Sequence, residues 1–211
     1  MIAVNKIVES SYVDGAGLRT VLFMQGCSIH CKGCQNRALW DPNKGEIYDE
    51  EQLAQLLVEK SSPHHQITIS GGEPFDQPGS LARLVMYLRK YGANHIIVYS
   101  GYTFDQLIHP VHGVPLWVDP IFKNIDVLVD GQYIKEMDDP FITYRGSRNQ
   151  RIIDIPATIE SQNIVELNWE FEVVLTNEGT ALMPLGLSKE FVGLGEALNT
   201  RMCGQTREIV K

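Results

Sequence analysis

Three cysteines, Cys27, Cys31 and Cys34, fall within the eight residues Cys27-Ser28-Ile29-His30-Cys31-Lys32-Gly33-Cys34. A loop that short can turn its sulfurs toward a common point, and thiolates are the ligands that zinc and iron–sulfur clusters take. The number of thiols separates the two. A structural zinc site closes four positions, whereas a cubane of four irons held by three cysteines leaves one iron open to a ligand that is not protein. His30 stands between the thiols and would complete a Cys3His zinc site, the alternative that the loop itself leaves open. Cys203 lies far off near the C-terminal end and reads as an ordinary free thiol.

The elements that must hold this loop can be read from periodicity. An apolar run from Leu18 to Met24 precedes it and ends in Gln25-Gly26, so the cysteines come directly after a strand. Three more short apolar runs end in small or polar residues: Gln66 to Ser70 in Gly71-Gly72-Glu73-Pro74, His95 to Tyr99 in Ser100-Gly101, and Asp126 to Val129 in Asp130-Gly131. Arg151 to Ile155 reads as a further strand after Arg145-Gly146-Ser147-Arg148-Asn149-Gln150. Helical stripes alternate with the strands: Leu53, Leu56 and Leu57 behind a capping box at Asp49 and Gln52, and Leu81, Leu84, Val85 and Leu88 between a Ser80 cap and a Gly92 stop. Thr103 with Gln106 caps a short third helix that stops at Pro110, and the proline-rich residues 110 to 120 read as an irregular crossover. Strands alternating with helices imply right-handed βαβ units and a parallel sheet. The C-terminal ends of parallel strands share one edge, where ligands bind, and that edge gathers the small and polar residues around the cysteines.

Other features have plainer readings beside the functional ones. Asp14-Gly15-Ala16-Gly17 is a tight acidic turn before the first strand. Asp130 would equally well end its strand and cap the next segment, Arg145, Arg148 and Arg151 would form a solvated face, and His64 and His65 would be surface residues. From Pro156 the composition changes: Trp169 to Thr176 alternates, Asn177-Glu178-Gly179 signals a turn, and Thr180 to Leu185 supplies a return strand. The chain therefore divides into a core, 1–155, and a C-terminal extension, 156–211.

With 211 residues, 44% hydrophobic and 21% charged, the chain has the make-up of a globular protein with one sizeable core. A formal net charge of −8 argues against a nucleic-acid partner, which needs a basic surface. No apolar run reaches the ~18 residues of a membrane span, and Met1-Ile2-Ala3-Val4-Asn5-Lys6 lacks the layout of a signal peptide. The expectation is a cytoplasmic protein without a membrane partner, its crowded cysteines a cofactor site and not a disulfide framework.

Cys27-x3-Cys31-x2-Cys34 together with a strand-terminal Gly71-Gly72-Glu73-Pro74 resembles the two motifs of the radical S-adenosylmethionine (SAM) superfamily. Asp14-Gly15-Ala16-Gly17-Leu18-Arg19 is similar to the D-G-P-G-x-R segment of glycyl-radical activating enzymes, with Ala16 in place of the usual proline. Gly33-Cys34-Gln35-Asn36 and Arg145 to Arg151 resemble the activases of anaerobic (class III) ribonucleotide reductases; formate-lyase activases usually carry an aromatic residue where Gly33 stands. The likeness covers residues 1 to about 155, and the segment from Pro156 is longer than that family leads one to expect.

The resemblance implies an α/β fold, a partial (β/α) barrel with parallel strands, to which the C-terminal β-hairpin is added. It implies a 4Fe-4S cluster on Cys27, Cys31 and Cys34, with the open iron chelating SAM. It further implies reductive cleavage of SAM and removal of a glycine Cα hydrogen from an anaerobic ribonucleotide reductase, with a flavodoxin or ferredoxin as electron donor. By position, Gly71, Gly72, Glu73 and Pro74 would meet the methionine moiety, and Ser100 and Asp130 the ribose, the carboxylate or a cation. Ser147 and Asn149 would lie toward the adenosine, and Asp14, Gly15, Gly17 and Arg19 would grip the incoming glycyl loop. The extension keeps a second enzymatic reading open, a radical SAM enzyme acting on another glycyl-radical protein, a peptide or a small heterocycle as in deazaguanine synthesis. A non-catalytic electron-transfer or metal module is the alternative of another class.

Overall fold

The computed structural model describes residues 1–109 and 118–169 and, as backbone, the two strands of a C-terminal hairpin. Seven strands form one sheet: β1 (Ile2–Ser11), β2 (Arg19–Met24), β3 (Glu46–Tyr48), β4 (Gln66–Gly71), β5 (His95–Tyr99), β6 (Val127–Asp130) and β7 (Arg151–Asp154). Their order is β3-β1-β2-β4-β5-β6-β7. The expectation of a parallel sheet holds for its centre, where β2, β4, β5 and β6 run parallel. The flanks differ: β1 is antiparallel to both β2 and β3, and β7 is antiparallel to β6. β7 reverses because no helical crossover separates it from β6; the chain returns through the loop that carries Arg145 to Gln150.

Helices α1 (Glu50–Lys60), α2 (Pro78–Lys90), α3 (Phe104–Ile108), α4 (Val118–Phe122) and α5 (Ile155–Ser161) complete this unit. Asp49 caps α1 by accepting the N–H groups of Glu51 and Gln52, and Thr103 and Gln106 close a reciprocal capping box on α3. Ser80 does not cap α2. The helix begins two residues earlier at Pro78, whose fixed φ suits the first turn, and the Ser80 hydroxyl donates to the Met1 carbonyl. Of the proline-rich crossover, residues 110–117 lie outside the described residues and 118–120 open α4.

Side chains alternate across the sheet. Leu22, Met24, Ile67, Ile69, Ile96, Val98 and Leu128 face the helices and pack on Leu53, Leu57, Leu81, Leu84 and Leu88. The other face holds a smaller cluster of Ile97, Val127, Val129 and Ile152, covered by Ala16, Tyr144, Leu167 and Trp169. The first compact unit runs from Met1 to Trp169, past the 155/156 division drawn from composition, because α5, Leu167 and Trp169 belong to its packing. The second unit, Glu170–Lys211, contains β8 (Phe171–Thr176) and β9 (Gly179–Pro184), which pair antiparallel from Phe171 opposite Pro184 to Thr176 opposite Gly179. Cys203 lies outside the described residues.

Candidate active site

The four parallel strands bring their C-terminal loops to one edge, and a cavity of about 240 Å³ opens there. Cys27, Cys31 and Cys34 line it from the β2 loop, Gly71, Gly72 and Glu73 from the end of β4, Ser100 and Gly101 from the end of β5, and Gly131 from the end of β6. The convergence expected from the sequence is therefore present for all three thiols and both glycines.

The cysteine loop is pinned from behind. The Gly26 N–H donates to Leu39 O at 2.8 Å and the Cys27 N–H to Trp40 O at 3.2 Å. The glycine pair after β4 holds it from the side: Gly72 N–H donates to Met24 O at 2.9 Å and Glu73 N–H to Gly26 O at 2.8 Å. A Cβ on Gly72 would sit 1.9 Å from Gly26 O, so only glycine permits this approach. The close contact that the sequence assigned to a ligand is in the first place a contact with the backbone preceding Cys27.

All three thiols are half-buried, and none is in a disulfide. Burial pushes the Cys27 and Cys31 thiols up; the charge of Glu73 adds to both, and that of Asp76 to Cys27. Such thiols become thiolates when a metal supplies the compensating charge. His30 does not join them: its ring stacks on Trp40 with centroids 4.4 Å apart, which removes the fourth ligand of a Cys3His zinc site. Among the described residues no three His, Cys, Asp or Glu side chains are placed to share a single ion. Trp40 lines the same cavity, and its buried indole N–H has no acceptor among the described residues. Three half-buried thiols on one wall and an orphaned donor beside them fit an iron–sulfur cluster, whose sulfurs take both metal and hydrogen-bond partners.

Glu73 is 1% exposed, and its carboxylate joins two strand ends. Oε1 accepts from Phe75 N–H and the Ser100 hydroxyl at 2.9 Å each, and Oε2 accepts from Gly101 N–H at 2.7 Å. Oε1 is filled and Oε2 keeps one lone pair. Burial is the main cause that raises this carboxyl to about 7. Pro74 opens the short 3-10 turn that Glu73 caps.

Several residues singled out in the sequence are placed elsewhere. Asp130 does not line the cavity; it ends β6 and forms a bidentate pair with Arg151 at 3.0 and 2.5 Å, and it accepts from Phe104 N–H at 2.7 Å, so it holds the start of α3 and not the segment that follows it. Ser147 is fully buried, its hydroxyl accepting from Ile134 N–H. Asn149 donates to Gln132 O, while its buried Oδ1 has no partner among the described residues. Their loop does form part of the wall, through Gly146 and Gln150.

Arg19 begins β2, at the edge opposite the cysteines, and is 1% exposed. Its five N–H donors meet Thr68 Oγ1, Ala16 O, Gln66 Oε1, Ile67 O, and His95 through Nδ1 and O. No donor is left for an incoming loop. Desolvation lowers this guanidinium to about 10, and His95 beside it is held neutral, lowered to about 4 by burial and then by the Arg19 charge. What Arg19 fixes is the 14–17 turn, which lies on the sheet face under the cavity. Asp14 O accepts from Thr68 Oγ1 at 2.8 Å, and a Cβ on Gly15 would lie 2.4 Å from Ile97 Cδ1. Gly17, whose φ is +80°, packs on Gln66 in the same way. The Asp14 charge, after burial, holds the phenol of Tyr99 un-ionised, and Tyr99 lines the cavity. Sequence reading missed Tyr99, Trp40, Tyr133 and Gln150. For Tyr99 a signal existed, since it alternates with Ile96 and Val98 and so faces away from the helices.

A mixed α/β sheet that presents three thiols at the C-terminal edge of its parallel strands is the frame of a cluster-binding iron–sulfur protein. The family model described as "4Fe-4S single cluster domain" matches residues 13–153. The chain is 33% identical over 147 residues to the anaerobic ribonucleoside-triphosphate reductase-activating protein of Haemophilus influenzae, covering 66% of this chain and 90% of that one. It is 32% identical to the Escherichia coli K12 protein of the same name (65% and 89% covered) and 28% identical to that of phage T4 (70% and 91%). The solved structure described as "Crystal structure of QueE from Escherichia coli" aligns with 48% of this chain and 53% of that chain, at a TM-score of 0.39 and 18% identity. The chain belongs to the family of anaerobic ribonucleoside-triphosphate reductase-activating proteins.

Proposed function

We propose that this protein is a radical SAM activase that takes a glycine Cα hydrogen from an anaerobic ribonucleotide reductase and leaves a glycyl radical there. The observation that carries the reading is that Cys27, Cys31 and Cys34 line one cavity with Gly71, Gly72 and Glu73, whose turn is bonded to the backbone just before Cys27. When bound, the 4Fe-4S cluster supplies the electron that splits the C5′–S bond of SAM, for which a low potential is needed.

The residues do the rest by holding and excluding. Cys27, Cys31 and Cys34 are the cluster ligands. The N–H groups of Gly72 and Glu73 are committed to Met24 O and Gly26 O, so this turn has acceptors and not donors to offer the ammonium of SAM. Glu73 adds its remaining lone pair and, next to a cation, its negative charge. Gly131, Gly146 and Gln150 complete the cavity lining, and Ser147 and Asn149 support their loop, toward which the adenosine would lie. Ser100 orients Glu73, and Asp130 with Arg151 fixes the end of β6. The turn from Asp14 to Gly17, fixed by Arg19, is the surface we assign to the glycyl loop of the reductase.

In this reading the seven-stranded sheet is the partial barrel of the radical SAM fold, a flavodoxin or ferredoxin supplies the electron, and the protein works in the cytoplasm, where thiols stay reduced. Among the described residues no helix is long and apolar enough to cross a membrane. The test is anaerobic: cluster-loaded protein, dithionite, SAM and the cognate reductase are mixed and examined by electron paramagnetic resonance. A glycyl doublet on the reductase together with 5′-deoxyadenosine is expected, and both vanish with Cys31→Ala. Release of 5′-deoxyadenosine without a reductase radical would sink the assigned substrate.

A further inference from the structure

On the outer side of the cysteine loop a polar group joins three loops that the sheet otherwise keeps apart. The Asp76 carboxylate accepts from the Ser28 backbone N–H at 2.6 Å and from the Ser28 hydroxyl at 2.8 Å. The Tyr102 hydroxyl lies 3.3 Å from the same carboxylate and 3.2 Å from the Ser28 oxygen. Ser28 is next in the chain to the first cluster ligand, Asp76 ends the short turn after Glu73-Pro74, and Tyr102 comes after Ser100-Gly101. Neither Asp76 nor Tyr102 lines the cavity between the strand ends; Asp76 and Ser28 line a second cavity beside it, with Cys27, His30 and Trp40.

Elementary electrostatics gives this arrangement two effects. A backbone N–H within a cluster loop is a natural donor to cluster sulfur, and each such bond stabilises the reduced, more negative state. Asp76 claims the Ser28 N–H and hydroxyl, so neither is left for sulfur. It also fixes a full negative charge one residue from Cys27. Both effects make the added electron less favourable.

We propose that Asp76 is a positioning residue that lowers the reduction potential of the cluster by withdrawing the Ser28 donors and by placing its charge against the Cys27 end of the loop. The inference rests on the activase reading, for which a low-potential centre is the requirement, and it assigns part of that requirement to a side chain outside the cysteine and glycine motifs. Tyr102 moderates the effect by donating to the same carboxylate.

The experiment is a redox titration of the anaerobically purified, cluster-loaded full chain without SAM, monitored by electron paramagnetic resonance, with iron and sulfide content measured alongside. Asp76→Asn is expected to favour the reduced state about threefold at a given poise, since Asp76 is exposed and its charge is partly screened. That corresponds to about 28 mV, at about 59 mV per decade for one electron. The difference should shrink at about 1 M salt, where the Debye length falls to about 3 Å. Tyr102→Phe, which strips a donor from the carboxylate, should move the midpoint the other way. An unchanged midpoint in Asp76→Asn at full iron content overturns the inference. Should that variant fail to hold iron, an upward or absent shift in Tyr102→Phe overturns it instead. A parent chain that binds no cluster sinks the activase reading first, and is told apart by its iron content alone.

Discussion

Glu73 accepts the backbone N–H of Gly101 at 2.7 Å, so the carboxylate of the glycine motif is a strut between the ends of β4 and β5. The strut is buried, and its titration should be visible in the stability of the protein. Burial holds the native carboxyl at about 7, above the 4.5 of a free glutamate. The native state therefore keeps a proton that the unfolded chain has already released. The associated stability is fully present below about pH 4.5 and is lost as pH rises through about 7, by on the order of 3 kcal/mol. Thermal unfolding of the SAM-free protein at low ionic strength should show the midpoint falling between pH 5 and pH 8. Glu73→Gln should remove that fall, whatever it does to the midpoint at pH 5. A parent whose midpoint does not fall over this range would refute the assignment.

Gly72→Ala should be more damaging than its size suggests. The added methyl would meet Gly26 O at 1.9 Å, and neither partner is a flexible side chain. Relief requires the turn after β4 to leave β2, which breaks the bonds from Gly72 to Met24 and from Glu73 to Gly26. Loss of two buried backbone hydrogen bonds costs roughly 2–4 kcal/mol, and it frees the loop that carries Cys27. We expect a protein that still folds at low temperature but retains less than half of the parent's iron after anaerobic reconstitution. Full iron content and unchanged SAM cleavage would show that the approach is not needed.

These two residues also mark what the sequence could and could not reveal. Gly71-Gly72-Glu73-Pro74 was conspicuous because a pair of glycines at a strand end has a backbone reason to be there, and periodicity placed the strands β2, β4, β5 and β6 with ends within a residue or two. The capping box at Thr103 was legible because it is local. What failed was non-local. Nothing in the neighbourhood of Arg19 announces that its guanidinium turns inward to the starts of β4 and β5, or that Asp130 would be claimed by Arg151, 21 residues on. The reversal of β7 and the strand character of Ile2–Ser11 likewise depend on which neighbour the sheet offers. Ser147 and Asn149 were drawn from the right loop, yet a loop's wall residues are set by its turn geometry, which put Gly146 and Gln150 on the cavity.

Arg19 offers a sharp separation of roles. Its donors tie the 14–17 turn to β4 and β5, and lysine keeps the charge but cannot reproduce the fork. Arg19→Lys should leave carbonyls of Ala16, Ile67 and His95 short of partners and lower stability by about 3 kcal/mol. For a chain of this size that is about 6–12 °C in the unfolding midpoint. Since the cysteine loop lies at the other edge of the sheet, SAM cleavage measured well below the new midpoint should stay within about twofold of the parent. Radical transfer to the reductase should fall by about tenfold or more, because the turn assigned to its glycyl loop is no longer fixed. Equal losses in both assays would remove the turn from partner recognition.

The boundary of the catalytic unit can be decided by two truncations. Composition suggested a cut at Pro156, but Trp169 is 6% exposed and meets Tyr144 edge-on at 5.4 Å on the sheet face below the cavity. The segment between them is pinned as well: Leu167 N–H donates to Ile152 O at 2.7 Å, and Asp154 N–H to Val165 O at 2.9 Å. Ending the chain at residue 155 removes α5 and this cover, exposes Ile152 and Val129, and deprives β7 of its only neighbour on that side among the described residues. Ending it after Trp169 leaves the first compact unit whole. The 1–169 protein should therefore fold, bind its cluster and cleave SAM at a rate close to that of the full chain, whereas 1–155 should aggregate or bind little iron. Reductase activation by 1–169 then isolates what residues 170–211 contribute. Cleavage retained with activation lost would assign them to the partner, and retention of both would leave the hairpin without a part in the reaction.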